Sequence, residues 1–464
     1  MEARFKNFIS KNNLLADCSK LLLAVSGGPD SLAMLDLFYK FRKDFELDIA
    51  AAHLDHMFRE ESAAEADFVE NFSKKKGIKL FRRQVDLPEI VNRNNLSAEA
   101  AAREVRFDFF KEIIAGYNYD LLALAHHRDD QAETVLLNLF RGSGLQGLSG
   151  IRPTAEFNGI KVIHPMLKFS KKEILEYCEE NDLKPRFDSS NQKNIYSRNI
   201  IRNKIFPVVE KKINNKAKEV IARTSNLLAA ENEFLEKLTF QKYKKILKNK
   251  SDNEIVIDLN KFENIDQVLQ RRIFRQIYKQ LNENLDGLYL EHIFEIEKLL
   301  SNHKTGRGVD IASGIRVVIS YSDLVFLKKD KLLLELTNKI EIKSGKIIEI
   351  DKKRSLTAEI IEKKDFSFSE NPQQAAFDYD KLNLPLFIRN RKIGDKFRPL
   401  GMSGKKKVKD ILIDKKVPKY ERDQLLLIVD SEDNIIWLAP YKIADNYKIS
   451  QETDKVLILR LKYN

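Results

Sequence analysis

A chain of 464 residues exceeds what one hydrophobic core organises, and an apolar content of 43% supports globular folding, so two or three domains are expected. No run of about 18 uncharged apolar residues occurs, and Met1-Glu2-Ala3-Arg4 leads into no apolar signal core; both argue against a membrane protein and for a soluble, cytoplasmic one. A net charge of +12 and a pI near 9.2 point to a polyanionic partner, nucleic acid foremost, whereas two distant cysteines, Cys18 and Cys178, exclude a disulfide framework and a zinc site.

In chain order, residues 20–25, 47–54, 79–85 and 120–126 read as apolar strands, and 30–43, 61–76 and 97–115 carry helical periodicity. Strand and helix in alternation predict a parallel sheet, whose ligands bind beyond the carboxyl ends of the strands. The glycine turn after the first strand, His53 and the His126-His127 pair all fall at such ends. From about Asn214 to Leu300 the pattern is helical, and Val309–Glu335 alternates like a short sheet. Beyond Leu336, Ile, Val and turn residues dominate, with strands expected at Lys346–Ile350, Ala375–Asp378, Leu425–Val429 and Ile435–Ala439. The expected fold class is α/β: a Rossmann-like parallel sheet over 1–213, a mainly helical domain over 214–335 and a small mixed α/β domain over 336–464. Basic residues gather at Arg198–Lys218, Lys237–Lys250 and Arg389–Lys419, which places the polyanion on the middle and the end.

Four constellations carry chemistry. In the first, an apolar strand runs into Ser26-Gly27-Gly28-Pro29-Asp30-Ser31 and then a helix. Its two glycines permit unusual backbone angles, Pro29 suits a first helical turn, and backbone N–H groups converge where a phosphate would sit. The turn lacks the Gly-Lys-Ser/Thr ending of a Walker loop, so it places no lysine on terminal phosphates. The second, His126-His127-Arg128-Asp129-Asp130-Gln131-Ala132-Glu133-Thr134, opens a helix; its acidic residues suit a first turn, and His126, Asp130 and Glu133 are also able to accept protons or bind a divalent ion. Mg²⁺ shared with nucleotide phosphates fits this set better than zinc. The third pairs Arg103 with Arg106 on one helical face before Phe107, and the fourth joins Asp188-Ser189-Ser190-Asn191 to Tyr196-Ser197-Arg198-Asn199-Ile200-Ile201-Arg202-Asn203; both suit phosphate contacts.

Together with Arg141-Gly142-Ser143-Gly144-Leu145-Gln146-Gly147-Leu148, these segments resemble, in order and spacing, the tRNA(Ile)-lysidine synthases of the PP-loop ATP pyrophosphatase superfamily. Arg389-Asn390-Arg391-Lys392-Ile393-Gly394-Asp395-Lys396-Phe397, with Pro399, Gly401 and Gly404-Lys405-Lys406-Lys407, looks like that family's C-terminal tRNA-binding domain. One departure is Phe107, where the family often has tyrosine. The resemblance implies an adenine nucleotide alpha hydrolase-like first domain that joins free L-lysine to the wobble cytidine of the CAU-anticodon isoleucine tRNA, using ATP and Mg²⁺ and changing the codon read from AUG to AUA. It assigns ATP to Ser26–Ser31 and His53, with Asp30 near the metal. Catalysis goes to Asp30, Arg103, Arg106, His126, Asp130 and Glu133, the last three being alternative acceptors of the lysine proton. Arg198, Arg202, Arg389, Arg391, Lys405, Lys406 and Lys407 would grip tRNA. No membrane partner is implied, and a homodimer is compatible with the family. A tRNA thiolase would need reactive cysteines that neither Cys18 nor Cys178 is placed to supply.

Overall fold

The computed structural model describes residues 1–55, 62–86, 98–157, 159–186, 197–328, 336, 338–351, 354–422 and 424–463; Asp188–Asn191 and Tyr196 of the fourth constellation lie outside the described residues. The chain separates into two compact units, Met1–Leu235 and Glu236–Asn464.

In the first unit, β1 (Lys20–Ala24), β2 (Asp48–Asp55), β3 (Lys79–Gln84), β4 (Leu121–Ala123), β5 (Thr154–Phe157) and β6 (Ile160–Ile163) form one sheet in the order β3-β2-β1-β4-β6-β5. All neighbours are parallel except the β5–β6 hairpin. Successive side chains of β1 point to opposite faces. Leu21 and Leu23 join Leu35 and Phe38 of helix Pro29–Phe41 and Ile174 of helix Lys171–Glu180. Leu22 joins Phe110 and Ile113 of helix Ala98–Tyr117 on the other side. A strand covered on both faces must be apolar throughout, which is why Leu21–Val25 reads as an unbroken run. Within the helical layer, buried Asp36 accepts from Lys76 Nζ and Tyr177 Oη, both at 2.7 Å, so its charge is compensated where it locks three segments together.

The chain steps outward from β1 through β2 to β3 and then crosses back to β4 on the other flank of β1. Connections leaving β1 and β4 therefore diverge at their carboxyl ends, opening the crevice in which such sheets bind ligands. The Ser26–Ser31 turn follows β1, and the His126–Thr134 motif follows β4.

In the second unit, β7 (Leu247–Lys250), β8 (Glu254–Asp258), β9 (Gly308–Asp310), β10 (Ile315–Ser320) and β11 (Asp323–Lys328) form an antiparallel sheet ordered β7-β8-β11-β10-β9. Helix Gln267–Asn282 packs on it, Phe274 lying 6.0 Å from Phe326 ring to ring. Strands β7 and β8 fall inside the stretch read as helical from Asn214. There Ile255 and Ile257 alternate into the core and pair with β11, so tertiary pairing overrides the helical surroundings.

Two further sheets follow. One is ordered β12-β16-β19-β20-β21, from β12 (Ile340–Ile342), β16 (Leu386–Asn390), β19 (Leu426–Val429), β20 (Ile435–Leu438) and β21 (Lys442–Ile443). The other is β13-β14-β22-β15, from β13 (Ile347–Asp351), β14 (Arg354–Glu362), β15 (Gln374–Asp378) and β22 (Lys455–Tyr463). They share a core containing Phe377, Ile388, Leu427, Trp437 and Leu459. A two-stranded ribbon, β17 (Lys396–Phe397) with β18 (Lys406–Lys407), completes the unit's strands among the described residues.

Candidate active site

The turn after β1 is held from several sides. Val25 N–H continues the sheet onto Ala52 O at 2.9 Å, and Arg186 N–H donates to Gly27 O at 3.1 Å. Gly27 has φ +85°, and a Cβ there would sit 3.2 Å from Val69 Cγ2, so conformation and space both call for glycine. Ser31 Oγ donates to Gly28 O at 3.0 Å and accepts from Ser26 N–H at 3.2 Å. Gly28 caps helix Pro29–Phe41 without a side-chain hydrogen bond, which leaves the helix's first amides for a ligand. His53, at the end of β2, is buried, and its Nδ1–H donates to Val25 O at 2.8 Å. Burial pushes its pKa down against that bond, so a neutral imidazole props the strand that feeds the turn.

The motif after β4 closes a capping box: His127 Nδ1 accepts from Asp129 N–H at 3.2 Å, and Asp130 Oδ2 accepts from His127 N–H at 2.9 Å. Because Nδ1 accepts from Asp129, the ring proton is carried on Nε2, which lies 3.6 Å from Asp30 Oδ1 and 3.5 Å from Asp130 Oδ2. Two loops thus meet through one imidazole.

Behind it lies a quartet of charges. Arg198 reaches Glu133 Oε2 at 2.9 Å and Asp130 Oδ1 at 3.1 Å; Arg202 reaches Glu133 Oε1 at 2.6 Å and Asp130 Oδ1 at 3.1 Å. The Glu133 side chain is 1% exposed, so its charge depends on those guanidinium groups. Burial raises the Asp130 pKa, but His127 and Arg198 outweigh it and bring the group down to about 2. His126 is half-buried, with Nδ1 shielded and without a hydrogen-bond partner, and its ring stands 5.0 Å from that of His164. Burial, opposed by Asp130, pushes His126 down to about 3, leaving it little basicity near neutral pH.

Asp30 makes its strongest contact with a residue that the sequence reading did not single out. Lys171 Nζ donates to Asp30 Oδ1 at 2.8 Å and Oδ2 at 2.7 Å, and Lys171 N–H donates to Asp129 Oδ1 at 3.2 Å. The available signal was Ser170-Lys171-Lys172-Glu173, a capping-box pattern opening a helix after β6, at the same edge of the parallel sheet as the other two loops.

Among the other sequence candidates, Arg103 is close enough for its charge to lower the pKa of His164. The Arg103 guanidinium stands 4.6 Å from the Phe157 ring centre, and Arg106 is exposed on the same helix. Phe107 is a core residue, 4.0 Å from Phe157 ring to ring, so its position is used for apolar packing. In the second unit Arg389 is buried, pairing with Asp395 and Asp433 at 2.9 Å, and Arg391 is half-buried. Arg198, Arg202 and Arg389 are therefore engaged by carboxylates of their own unit. Lys406 pairs with Asp414. Lys405 and Lys407 are exposed and carry no ion pair among the described residues, and Lys407 lies directly opposite Lys396 across the ribbon. Burial pushes the Cys18 thiol up to about 12 and Cys178 up to about 11, which denies both the thiolate needed for sulfur transfer.

Among the described residues no helix is long and apolar enough to cross a membrane. A family model for the PP-loop domain matches residues 1–209, and one for the TilS substrate C-terminal domain matches residues 386–460. The tRNA(Ile)-lysidine synthase of Caldanaerobacter subterraneus subsp. tengcongensis is 33% identical over 454 residues, covering 97% of this chain and 95% of that protein. The enzyme of the same name from Clostridium acetobutylicum is 32% identical over 467 residues, covering 98% of each. Among solved structures, a U34-tRNA thiolase from Methanococcus maripaludis with its 4Fe-4S cluster is similar at a TM-score of 0.41 and 22% identity, covering 49% of this chain and 79% of that one. With 32–33% identity to these enzymes over nearly the full length of both chains, and with both family models matched, the chain belongs to the tRNA(Ile)-lysidine synthases, ATP-dependent ligases that form lysidine on tRNA(Ile).

Proposed function

We propose that the ligation runs in two steps at this crevice, on the wobble cytidine of the CAU-anticodon isoleucine tRNA and with free L-lysine. The cytosine C2 oxygen attacks the α-phosphorus of ATP, and the bond to the bridging oxygen breaks with its electron pair leaving on pyrophosphate. The lysine ε-amine then attacks C2, AMP leaves with the former C2 oxygen, and the nitrogen gives up a proton. Each step moves negative charge toward the amides of the Ser26–Ser31 turn, which are fixed before reaction and need no reorganisation. The observation that carries this reading is the Asp30–His127–Asp130 relay, whose contacts of 3.6 and 3.5 Å join the phosphate turn to the acidic loop.

The negative charge that Asp130 keeps, with its pKa down at about 2, suits the attraction of an ammonium group, while neutral His126 lines the same loop. His53 supports the nucleotide turn, and Arg103 and Arg106 reach substrate phosphates. Among the described residues no three His, Cys, Asp or Glu side chains form a metal cluster. An Mg²⁺ shared with the nucleotide phosphates would take an Asp30 oxygen as its protein ligand beside Lys171 and would neutralise developing charge there. An anticodon loop suits the pocket because its bases unstack at less cost than those of a duplex. In the second unit Lys405 and Lys407 grip RNA phosphates, whereas Arg389 and Lys406 shape the surface. The working division is a catalytic domain over 1–213, a middle domain over 214–335 and a tRNA-binding domain over 336–464, in a cytoplasmic protein for which a homodimer is the assembly to test.

The test is mass spectrometry of nucleosides after incubating unmodified CAU-anticodon isoleucine tRNA with protein, ATP, Mg²⁺ and isotopically labelled lysine. Label in the wobble nucleoside is the expected result; AMP without label would refute lysine as the nucleophile.

A further inference from the structure

The phosphate turn carries no lysine of its own, yet a leaving pyrophosphate needs cationic partners. Lys171 arrives from the loop after β6 and places Nζ 2.8 and 2.7 Å from the two oxygens of Asp30, in the first turn of the helix that the phosphate turn opens. Its backbone is fixed. Ser170 and Glu173 close the capping box, Lys171 N–H sits on Asp129, and the same helix is anchored by Tyr177 Oη on Asp36 at 2.7 Å. Its side chain is 37% exposed, so solvent reaches it and a ligand can. An ammonium has three donors, and Asp30 takes two. The third is free to bond a phosphate oxygen while Asp30 keeps its grip.

We propose that Lys171 is the phosphate-binding lysine of the ATP site, contacting the β- and γ-phosphates, and that Asp30 acts as its positioning residue. This rests on the ATP-dependent reading above. When the α-phosphorus bond to the bridging oxygen breaks, the electron pair settles on pyrophosphate, where the Lys171 charge offsets it. The chain thus supplies from a third loop the charge that a Walker turn carries within itself.

Calorimetric titration of the full-length protein with α,β-methylene-ATP, pyrophosphate and AMP tests the assignment in wild type, Lys171→Met and Lys171→Arg, with thermal unfolding as a check on folding. Lys171→Met is expected to weaken the analogue and pyrophosphate by about tenfold or more, the scale of one charge-assisted hydrogen bond, to leave AMP unchanged and to be largely rescued by Lys171→Arg. Equal binding of pyrophosphate by Lys171→Met and wild type would overturn the proposal, as would a parallel loss for AMP, which a merely structural pair would produce. A wild type that binds none of the three would instead sink the ATP-site reading itself.

Discussion

Glu133 shows how single residues carry this site. It is the most enclosed member of the quartet and accepts from both Arg198 and Arg202. Removing one partner of a buried pair costs about 3–5 kcal/mol, and because both arginines are about one-third exposed, Glu133→Gln is expected near the lower bound or somewhat below it, about 2–3 kcal/mol by urea unfolding. Asp30→Ala is expected to abolish AMP formation while the unfolding midpoint stays near wild type, since Asp30 lies at the mouth of the turn; wild-type turnover would refute its role. The histidines set an acid limit. His53, His126 and His164 all have pKa values lowered from 6.5, chiefly by burial, and His126 falls to about 3 with Asp130, His164, Arg198 and His127 facing it. The unfolded chain takes up these protons below about 6.5 and the folded one does not, so stability is full above that pH and falls as pH drops toward 3. Unfolding at pH 7 and pH 4.5 should show a loss that is smaller in His126→Asn. Asp30, His126, Asp130 and Glu133 were legible as candidates because their residue types cluster at strand ends. Their pairings were not: Lys171, which was not singled out, lies 141 positions from Asp30, and Arg198, which was read as a tRNA contact, lies 65 from Glu133, separations that only the fold closes.

At the scale of elements, β1 to β4 and their helices were readable because burial on both faces leaves apolar runs that glycine and charged turns interrupt. Strands β5 to β8 were not, since short hairpins such as Thr154–Phe157 with Ile160–Ile163 give too few residues for a period to register. Leu22→Ala, which empties a site between β1 and helix Ala98–Tyr117, is expected to cost about 2–5 kcal/mol. Gly150 shows a constraint of another kind. It has φ +64°, and a Cβ there would lie 2.6 Å from Gln131 Oε1, the atom that accepts Ile151 N–H. Gln131 follows Asp130 directly, so Gly150→Ala is expected to lower activity as well as the unfolding midpoint, and its effect on both checks whether this clasp orients the acidic loop.

Over the whole molecule, a surplus of 12 positive charges makes RNA affinity a function of salt. Replacing Lys405 and Lys407 together by Ala is expected to lower the slope of log affinity against log salt by about 1–2, whereas Lys406→Ala, which breaks an ion pair with Asp414, should act more on the ribbon than on the slope. Filter binding across a salt series separates the two. The total charge was visible in the sequence, but its allocation was not: Arg389 and Lys406 look like their neighbours until the carboxylates they meet are known. The ribbon itself has a built-in bias. Lys396 and Lys407 are paired across it, and neither has an ion pair among the described residues, so like charges sit opposite each other on the two strands. A polyanion laid across them would remove that opposition, turning occupancy into mechanical stiffness: amide exchange in the ribbon should slow when RNA binds, and faster exchange would place the RNA elsewhere.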